Sequence, residues 1–418
     1  MRNVPKLRFK EFTDEWEEKR LGEISNIKGG YAFKSQNFLN NKSKYQVIKM
    51  GNIYKNKLLL DKSPSYLDEI SEKEKDYLLE KDDIILTLTG TVGKRDFGYS
   101  CQIKEEKNLL LNQRLACIKS KKEIINRKFL RYIISHQNFL DIFFEISMGG
   151  TGNQANVSIK DICDIIVKIG ENKEQQKIAD FLSSVDIKIS ITEEKLNLFN
   201  EYKKGIMQKI FNQELKFKDE NGNDYPEWEE KELKELLESI IDNRGKTPPN
   251  LENNTLIPLL EINSIGERKI RYEKVTKFVT EETYDTWFRN HIIKDDILFS
   301  TVGATALCSM YRDEKKSVIA QNLVGLRIKK NYVPDYIYSL IIETKNNLKF
   351  KSIEMVAVQP SIKVSQMINL KFKVSTSYEE QQKIADFLSA IDTKIERISD
   401  ELENLKEFKK GLLQQMFV

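Results

Sequence analysis

The chain has 418 residues, 40% of them hydrophobic and 32% charged, with a net charge of +4 and a pI near 8.5. No apolar run approaches the ~20 residues that cross a bilayer, and the opening MRNVPKLRFK lacks the apolar core of a secretory leader. A cytoplasmic protein without membrane contact is therefore expected, and its net charge permits nucleic-acid binding without arguing for it.

The four cysteines (Cys101, Cys117, Cys163, Cys308) show no paired spacing, and His136 and His291 are the only histidines. Scattered thiols of this kind point away from disulfides and zinc sites. No metal site and no histidine-based chemistry is expected.

In chain order, the first marker is Leu7-Arg8-Phe9-Lys10 followed by Glu15-Trp16-Glu17-Glu18-Lys19. It returns as Leu215-Lys216-Phe217-Lys218 and Glu227-Trp228-Glu229-Glu230-Lys231. Each tryptophan reads as a hydrophobic plug at the start of a domain. Next come turn-forming stretches at equivalent places but with unlike sequences: Gly29-Gly30-Tyr31-Ala32-Phe33-Lys34, and Asp242-Asn243-Arg244-Gly245-Lys246-Thr247-Pro248-Pro249.

Lys81-Asp82-Asp83-Ile84-Ile85-Leu86 recurs as Lys294-Asp295-Asp296-Ile297-Leu298-Phe299. Each copy opens a strand-like run that leads to a glycine turn, Thr89-Gly90-Thr91-Val92-Gly93-Lys94 or Thr301-Val302-Gly303-Ala304-Thr305. The paired aspartates read as turn residues, and the glycines do not match a Walker loop. A further strand-like run holds Asn112-Gln113-Arg114-Leu115, matched by Gln321-Asn322-Leu323. Helices are expected over 127–146 and 334–353. Polar turns follow at Gly149-Gly150-Thr151-Gly152-Asn153-Gln154 and Val358-Gln359-Pro360-Ser361, and then strands over 162–169 and 368–374.

Each copy ends in the same segment. EQQKIADFLS occupies 174–183 and again 380–389, and over 38 positions paired at an offset of 206 residues, 20 are identical. Ile178, Leu182, Val185, Ile189, Thr192, Leu196, Phe199, Lys203, Ile206 and Ile210 follow a 4-3 spacing that the second copy repeats. A narrow apolar stripe of this kind wants a second helix against it. Two such helices in one chain most simply pair with each other, and a coiled coil that serves only for oligomerisation is the alternative. Lys203 and Lys409 interrupt the seam, either as a register device or, the plainer reading, as long stems whose ammonium reaches water. Gly205 and Gly411 are expected to mark close approach of the paired helices.

The PKLRF…DEWEEKRLGE opening, KDDI before a glycine turn, and EQQKIADFL at the start of a long helix all occur in this order in both halves. Together they resemble the specificity subunit of type I restriction–modification systems over essentially the whole chain. The resemblance implies an α+β fold. Target recognition domain 1 spans 1–171, the central conserved coiled-coil helix 172–212, target recognition domain 2 213–378, and the C-terminal conserved helix 379–418, the two helices pairing as an antiparallel intramolecular coiled coil. It also implies that each recognition domain reads half of a bipartite site on double-stranded DNA. The helices act as spacer and docking surface for two methyltransferase subunits, with restriction or translocase subunits as further partners.

Base edges are read best by Arg, Lys, Asn and Gln on loops and strand ends, and phosphates by any basic or hydroxyl group. The candidates in the first copy are Lys28, Tyr31, Lys34, Lys94, Arg95, Gln113, Arg114 and Gln154. In the second they are Arg244, Lys246, Thr247, Arg268, Thr305, Gln321, Asn322 and Gln359. Gln113 and Gln321 are the weakest, because a polar residue in a strand can simply bond a neighbouring loop.

The adenine-methyltransferase motif [ND]PP[YF], helicase Walker motifs and a nuclease carboxylate–lysine cluster are all missing. No catalytic residue and no cofactor is assigned to this chain. S-adenosylmethionine, ATP and Mg are expected on the partner subunits. The competing readings are a coiled-coil scaffold with two protein-binding heads and a fused nuclease or methyltransferase.

Overall fold

The computed structural model describes residues 4–147, 153–243, 245, 247–355 and 358–418. The chain divides into two compact units, 1–192 with 401–418, and 193–400.

The first unit is built on a four-stranded antiparallel sheet in the order Ser25–Gly29, Leu115–Ser120, Ile84–Thr87, Ser100–Gln102. Side chains alternate across a strand, so Ile84 and Leu86 enter one core while Ile85 enters another. The first core lies under helices Arg127–Ser135 and Gln137–Glu145 and the start of the long helix Asn172–Phe211. The second lies under a lateral lobe whose sheet runs Leu109–Leu111, Tyr45–Ile48, Tyr66–Leu67, the first pair parallel.

The second unit repeats this plan. Its main sheet is Leu237–Ile241, Leu323–Ile328, Ile297–Ser300, Cys308–Met310, and its lateral sheet is Phe278–Val279, Ile257–Leu260, Val318–Ile319, again with one parallel pair. Ile297 and Phe299 face the helical core and Leu298 the lateral one.

Each expected helix over 127–146 and 334–353 is broken in two by a cap. His136 leaves the helical conformation and its Nδ1 accepts from the Asn138 N–H at 3.3 Å. Glu343 does the same for Lys345 and Asn346 at 3.0 and 2.9 Å. A side-chain acceptor that takes the orphan amides of a new helix offsets the cost of the break. The strands expected over 162–169 and 368–374 are shorter, Ile166–Ile169 and Lys371–Val374. Short helices, Ile159–Asp164 and Val364–Met367, occupy the residues before them. Asp82 and Asp295 adopt positive φ, and Asp83 and Asp296 accept from backbone amides. The paired aspartates are thus turn residues, as expected.

The duplicated Glu-Gln that opens EQQ makes buried hydrogen bonds in both copies. Trp16 Nε1 donates to Glu174 at 2.9 Å, and Arg8 donates to the same carboxylate at 2.7 and 2.8 Å. Trp228 Nε1 donates to Glu380 at 2.9 Å. Gln175 accepts from the Asn126 N–H and donates to the Gly170 carbonyl, both at 2.8 Å. Gln381 makes the same pair with Val333 and Ser375, both at 2.9 Å. The tryptophans are therefore more than plugs: their indole N–H ties each globular part to the first turn of its helix.

In the first unit, Ile178, Leu182 and Val185 share a core with Leu412, Met416 and Phe417 of the C-terminal stretch. In the second, Met207, Ile210 and Phe211 share one with Ile384, Leu388 and Ile391 of the helix Tyr378–Met416. The pairing is antiparallel in both. Lys409 Nζ lies 2.6 Å from Asp186 and Lys203 Nζ 2.5 Å from Asp392, all four half-buried. The preferred reading of these lysines is thereby corrected. They do not simply reach water but make the same cross-helix ion pair in each unit.

The expectation for the glycines is also corrected. A Cβ on Gly205 would meet nothing within 4 Å, and one on Gly411 only Gln415 Nε2 at 4.0 Å. Gly205→Ala and Gly411→Ala are expected to stabilise the helices by about 0.5–1 kcal/mol each. Urea unfolding of each variant checks this, and a loss of stability would show that a close approach exists after all.

Candidate nucleic-acid interface

The register of the main sheet gathers loops that are distant in sequence. Gly29 pairs with Ala116, and Leu115 with Thr87. The chain leaving Gly29, the loop after Thr87 and the turn before Leu115 therefore emerge at one end of the sheet. Tyr31 bridges to Asn112, and its carbonyl accepts from the Gln113 N–H at 2.9 Å. Gly30 sits so close that a Cβ would overlap the Asn112 carbonyl. Leu88 N–H donates to Arg114 O at 3.0 Å, and the strand Gln154–Asn156 pairs with Thr89–Thr91.

Tyr31, Lys34, Lys94, Gln113, Arg114 and Gln154 thus belong to one cluster of loops. All are exposed except Tyr31, which is half-buried against Phe33 and Tyr77 at 5.0 and 5.1 Å. Gln113 and Arg114 do not lie in a strand as expected. They form the turn that joins Leu109–Leu111 to Leu115–Ser120, and this frees their side chains.

The equivalent end of the second unit is built alike. Ile241 pairs with Gly325 and Ser300 with Leu323. The glycine turn is held by Gly303 N–H on the Pro360 carbonyl and Ile362 N–H on that of Thr301, both at 2.8 Å. Gln321, Asn322 and Gln359 meet here, Gln321 and Gln359 exposed and Asn322 half-buried on the matching turn. Thr247 is exposed on the segment that leaves Ile241. Arg244 and Lys246 lie outside the described residues, as does 149–152 of the polar turn in the first copy.

Four candidates have partners within the chain. Arg268 binds Asp392, Asp335 at 2.6 Å and Ser389 at 2.9 Å, which fastens its turn to the C-terminal helix. Thr305 is buried, donating to Glu354 and accepting from Lys351, both at 2.7 Å. Arg95 pairs with Asp141 at 2.7 Å and covers the Phe144 ring. Lys28 reaches back to the Asp76 carbonyl at 2.7 Å and lies over Tyr77. Sequence places these residues on loops and strand ends, but their partners come from distant segments.

Among the described residues, no group of three or more His, Cys, Asp or Glu could hold a metal, and no helix is long and apolar enough to cross a membrane. Burial pushes the Cys101 thiol up to about 12 and raises those of Cys117 and Cys308, which keeps them as unreactive thiols. His291 stacks on Tyr284 at 3.9 Å, and burial lowers the pKa of both histidines.

The model of the type I restriction modification DNA specificity domain matches this chain twice, over 13–200 and 225–407. The chain belongs to the type I restriction–modification specificity subunits. The MjaVIII specificity subunit of Methanocaldococcus jannaschii is 24% identical over 81% of this chain and 79% of its own. The putative MjaX specificity subunit of the same organism is 25% identical over 98% and 95%. Among solved structures, the S subunit from M. genitalium covers 99% of both chains with a TM-score of 0.62 at 17% identity. That likeness supports the fold of this specificity subunit: two mixed α/β parts and long helices.

Proposed function

We propose that each unit reads one half of an asymmetric, bipartite site on double-stranded DNA through the sheet-end loops described above. The paired helices set the spacing between the half-sites. The observation that carries this reading is a shared frame with unlike tips. The two sheet ends have the same topology, yet one presents Lys34, Lys94, Gln113, Arg114 and Gln154 and the other Thr247, Gln321, Asn322 and Gln359. Side chains of this chemistry read base edges and phosphates.

The helices also dock two methyltransferase subunits, to which restriction subunits add. In support, an apolar groove of about 550 Å³ opens between Leu198, Phe199 and Tyr202 and Phe387, Ala390 and Ile391 in the second unit. Tyr202 is exposed there, and its counterpart in the repeat, Phe408, is exposed in the first unit. Solvent-facing aromatics at repeated positions suit two copies of one partner. Catalysis and its cofactors, S-adenosylmethionine, ATP and Mg, reside on those partners.

The test is co-expression with the methyltransferase subunit and mapping of modified adenines. A bipartite motif is expected, and exchange of residues 1–171 for another recognition domain should change one half of it only. A change in both halves, or methylation without sequence dependence, would refute the reading.

A further inference from the structure

The two units differ sharply in charge at matching places. Residues 24–60 contain seven lysines (Lys28, Lys34, Lys42, Lys44, Lys49, Lys55 and Lys57) and no aspartate or glutamate. The corresponding stretch of the second unit, 236–272, mixes acids (Glu238, Asp242, Glu252, Glu261 and Glu267) with five bases.

The contrast is structural as well as compositional. Lys49 and Glu261 are the N-caps of equivalent short 3-10 turns, Met50–Asn52 and Ile262–Ser264. Glu261 accepts Lys277 at 2.9 Å, whereas Lys49 donates to Ser65 at 2.6 Å and lies over the Phe38 ring. Beyond the turn, the second unit fastens its connection to the C-terminal helix, through Arg268 on Asp392 and Lys269 on Glu396.

The first unit closes the matching turn as a hairpin, Ile53–Tyr54 with Lys57–Leu58, where the second has only an Ile265–Ile270 bridge; its tip residues Lys55 and Asn56 both take positive φ (46° and 61°). That is the conformation of a tight primed turn. Asn56 anchors it by accepting from the Ser100 N–H at 2.9 Å. Tyr54 is 46% exposed, with Lys55 Nζ 5.4 Å and Lys62 Nζ 5.6 Å from its ring. Lys44 lies over Tyr45 at 5.3 Å in the same lobe. The lobe is continuous with the loops of the sheet end, because the Thr89 hydroxyl contacts Met50 Sδ at 2.5 Å.

Resting on the DNA-reading function proposed above, we infer that the lateral lobe of the first unit is a phosphate-backbone clamp centred on Tyr54, Lys55 and Lys62. The second unit lacks it, so electrostatic capture of DNA is asymmetric, and the first unit supplies most of the salt-dependent affinity. Lysines held on aromatic rings keep their ammonium groups at the surface with little loss of freedom on binding, and phosphate contacts carry no base information.

The test uses the full chain in complex with its methyltransferase subunits and a duplex bearing the mapped site. The triple variant Lys44→Gln/Lys55→Gln/Lys62→Gln should lower the slope of log K against log salt by about 2.7, at roughly 0.9 for each phosphate that is no longer neutralised. The preference for the mapped site over a scrambled duplex should stay within about twofold, since phosphate contacts do not specify sequence. The control Lys274→Gln/Lys315→Gln/Lys330→Gln in the second unit should leave the slope nearly unchanged. An unchanged slope in the first variant, or equal reductions in both, overturns the clamp. A wild-type complex that does not prefer the mapped duplex overturns the DNA-reading function itself.

Discussion

Glu174→Ala is expected to destabilise the first unit by about 3 kcal/mol, because it strands a guanidinium and an indole N–H in a buried site. Glu174 is fully buried, and Arg8 is half-buried with one further bond, to the Asp14 carbonyl at 2.6 Å. For a unit of this size the loss corresponds to a fall in melting temperature of roughly 6–12 °C. Glu174→Gln keeps the size and one acceptor for Trp16 and should cost about half as much. The second unit provides an internal control. Glu380 also holds its tryptophan, but Lys216, exposed, stands at the position of Arg8. Glu380→Ala should therefore cost only about 1–2 kcal/mol. Calorimetry of the full chain with each substitution measures both. The account fails if Glu380→Ala is as damaging as Glu174→Ala, or if neither shifts the transition.

The duplicated frame was legible in the sequence because it rests on periodicity and identity. EQQKIADFLS, the 4-3 seam and KDDI are local strings, and each marks an element that the structure contains. Partnerships across the chain were not legible in the same way. Asp186 and Asp392 are the same residue of the repeat, and each takes a lysine from the other helix. Their additional arginine comes from Arg131, on a helix of the first unit, but from Arg268, on a turn of the second. No spacing rule finds both. Arg268 thus looked like a loop residue available to DNA, although its position is set by a carboxylate 124 residues away.

The site shows the same division. The sheet-end loops were recognisable as turns by their glycines and prolines. The Gln113-Arg114 and Gln321-Asn322 turns were not, because apolar residues on both sides make them read as continuous strands. Thr305 and Arg95 met the chemical criterion for DNA contacts, but only packing reveals that one is buried and the other bonded. The lysine run over 24–60 is present in the sequence, but the whole-chain charge of +4 hides it. Its significance depends on the alignment of Lys49 with Glu261, which required the fold.

The two aspartate hubs yield the second large effect. Asp186 receives Lys409 at 2.6 Å, Arg131 at 3.0 Å and the Tyr132 hydroxyl at 2.8 Å. Asp186→Ala removes the anion that two cations and a phenol share, so a loss of about 2–3 kcal/mol is expected, discounted for partial exposure. Lys409→Met leaves the carboxylate paired with Arg131 and sets an apolar stem of similar length in the seam. Its cost should remain under about 1 kcal/mol. The asymmetry separates an ion-pair hub from lysines that only cover apolar surface, for which Asp186→Ala would be the milder change. In the second unit, Asp392→Ala should match Asp186→Ala in cost and also partly release the Arg268 turn, leaving it Asp335, Ser389 and the Lys269–Glu396 pair. Limited proteolysis between Gly266 and Lys269 reports that release. Resistance equal to wild type would show that the turn is held by other contacts.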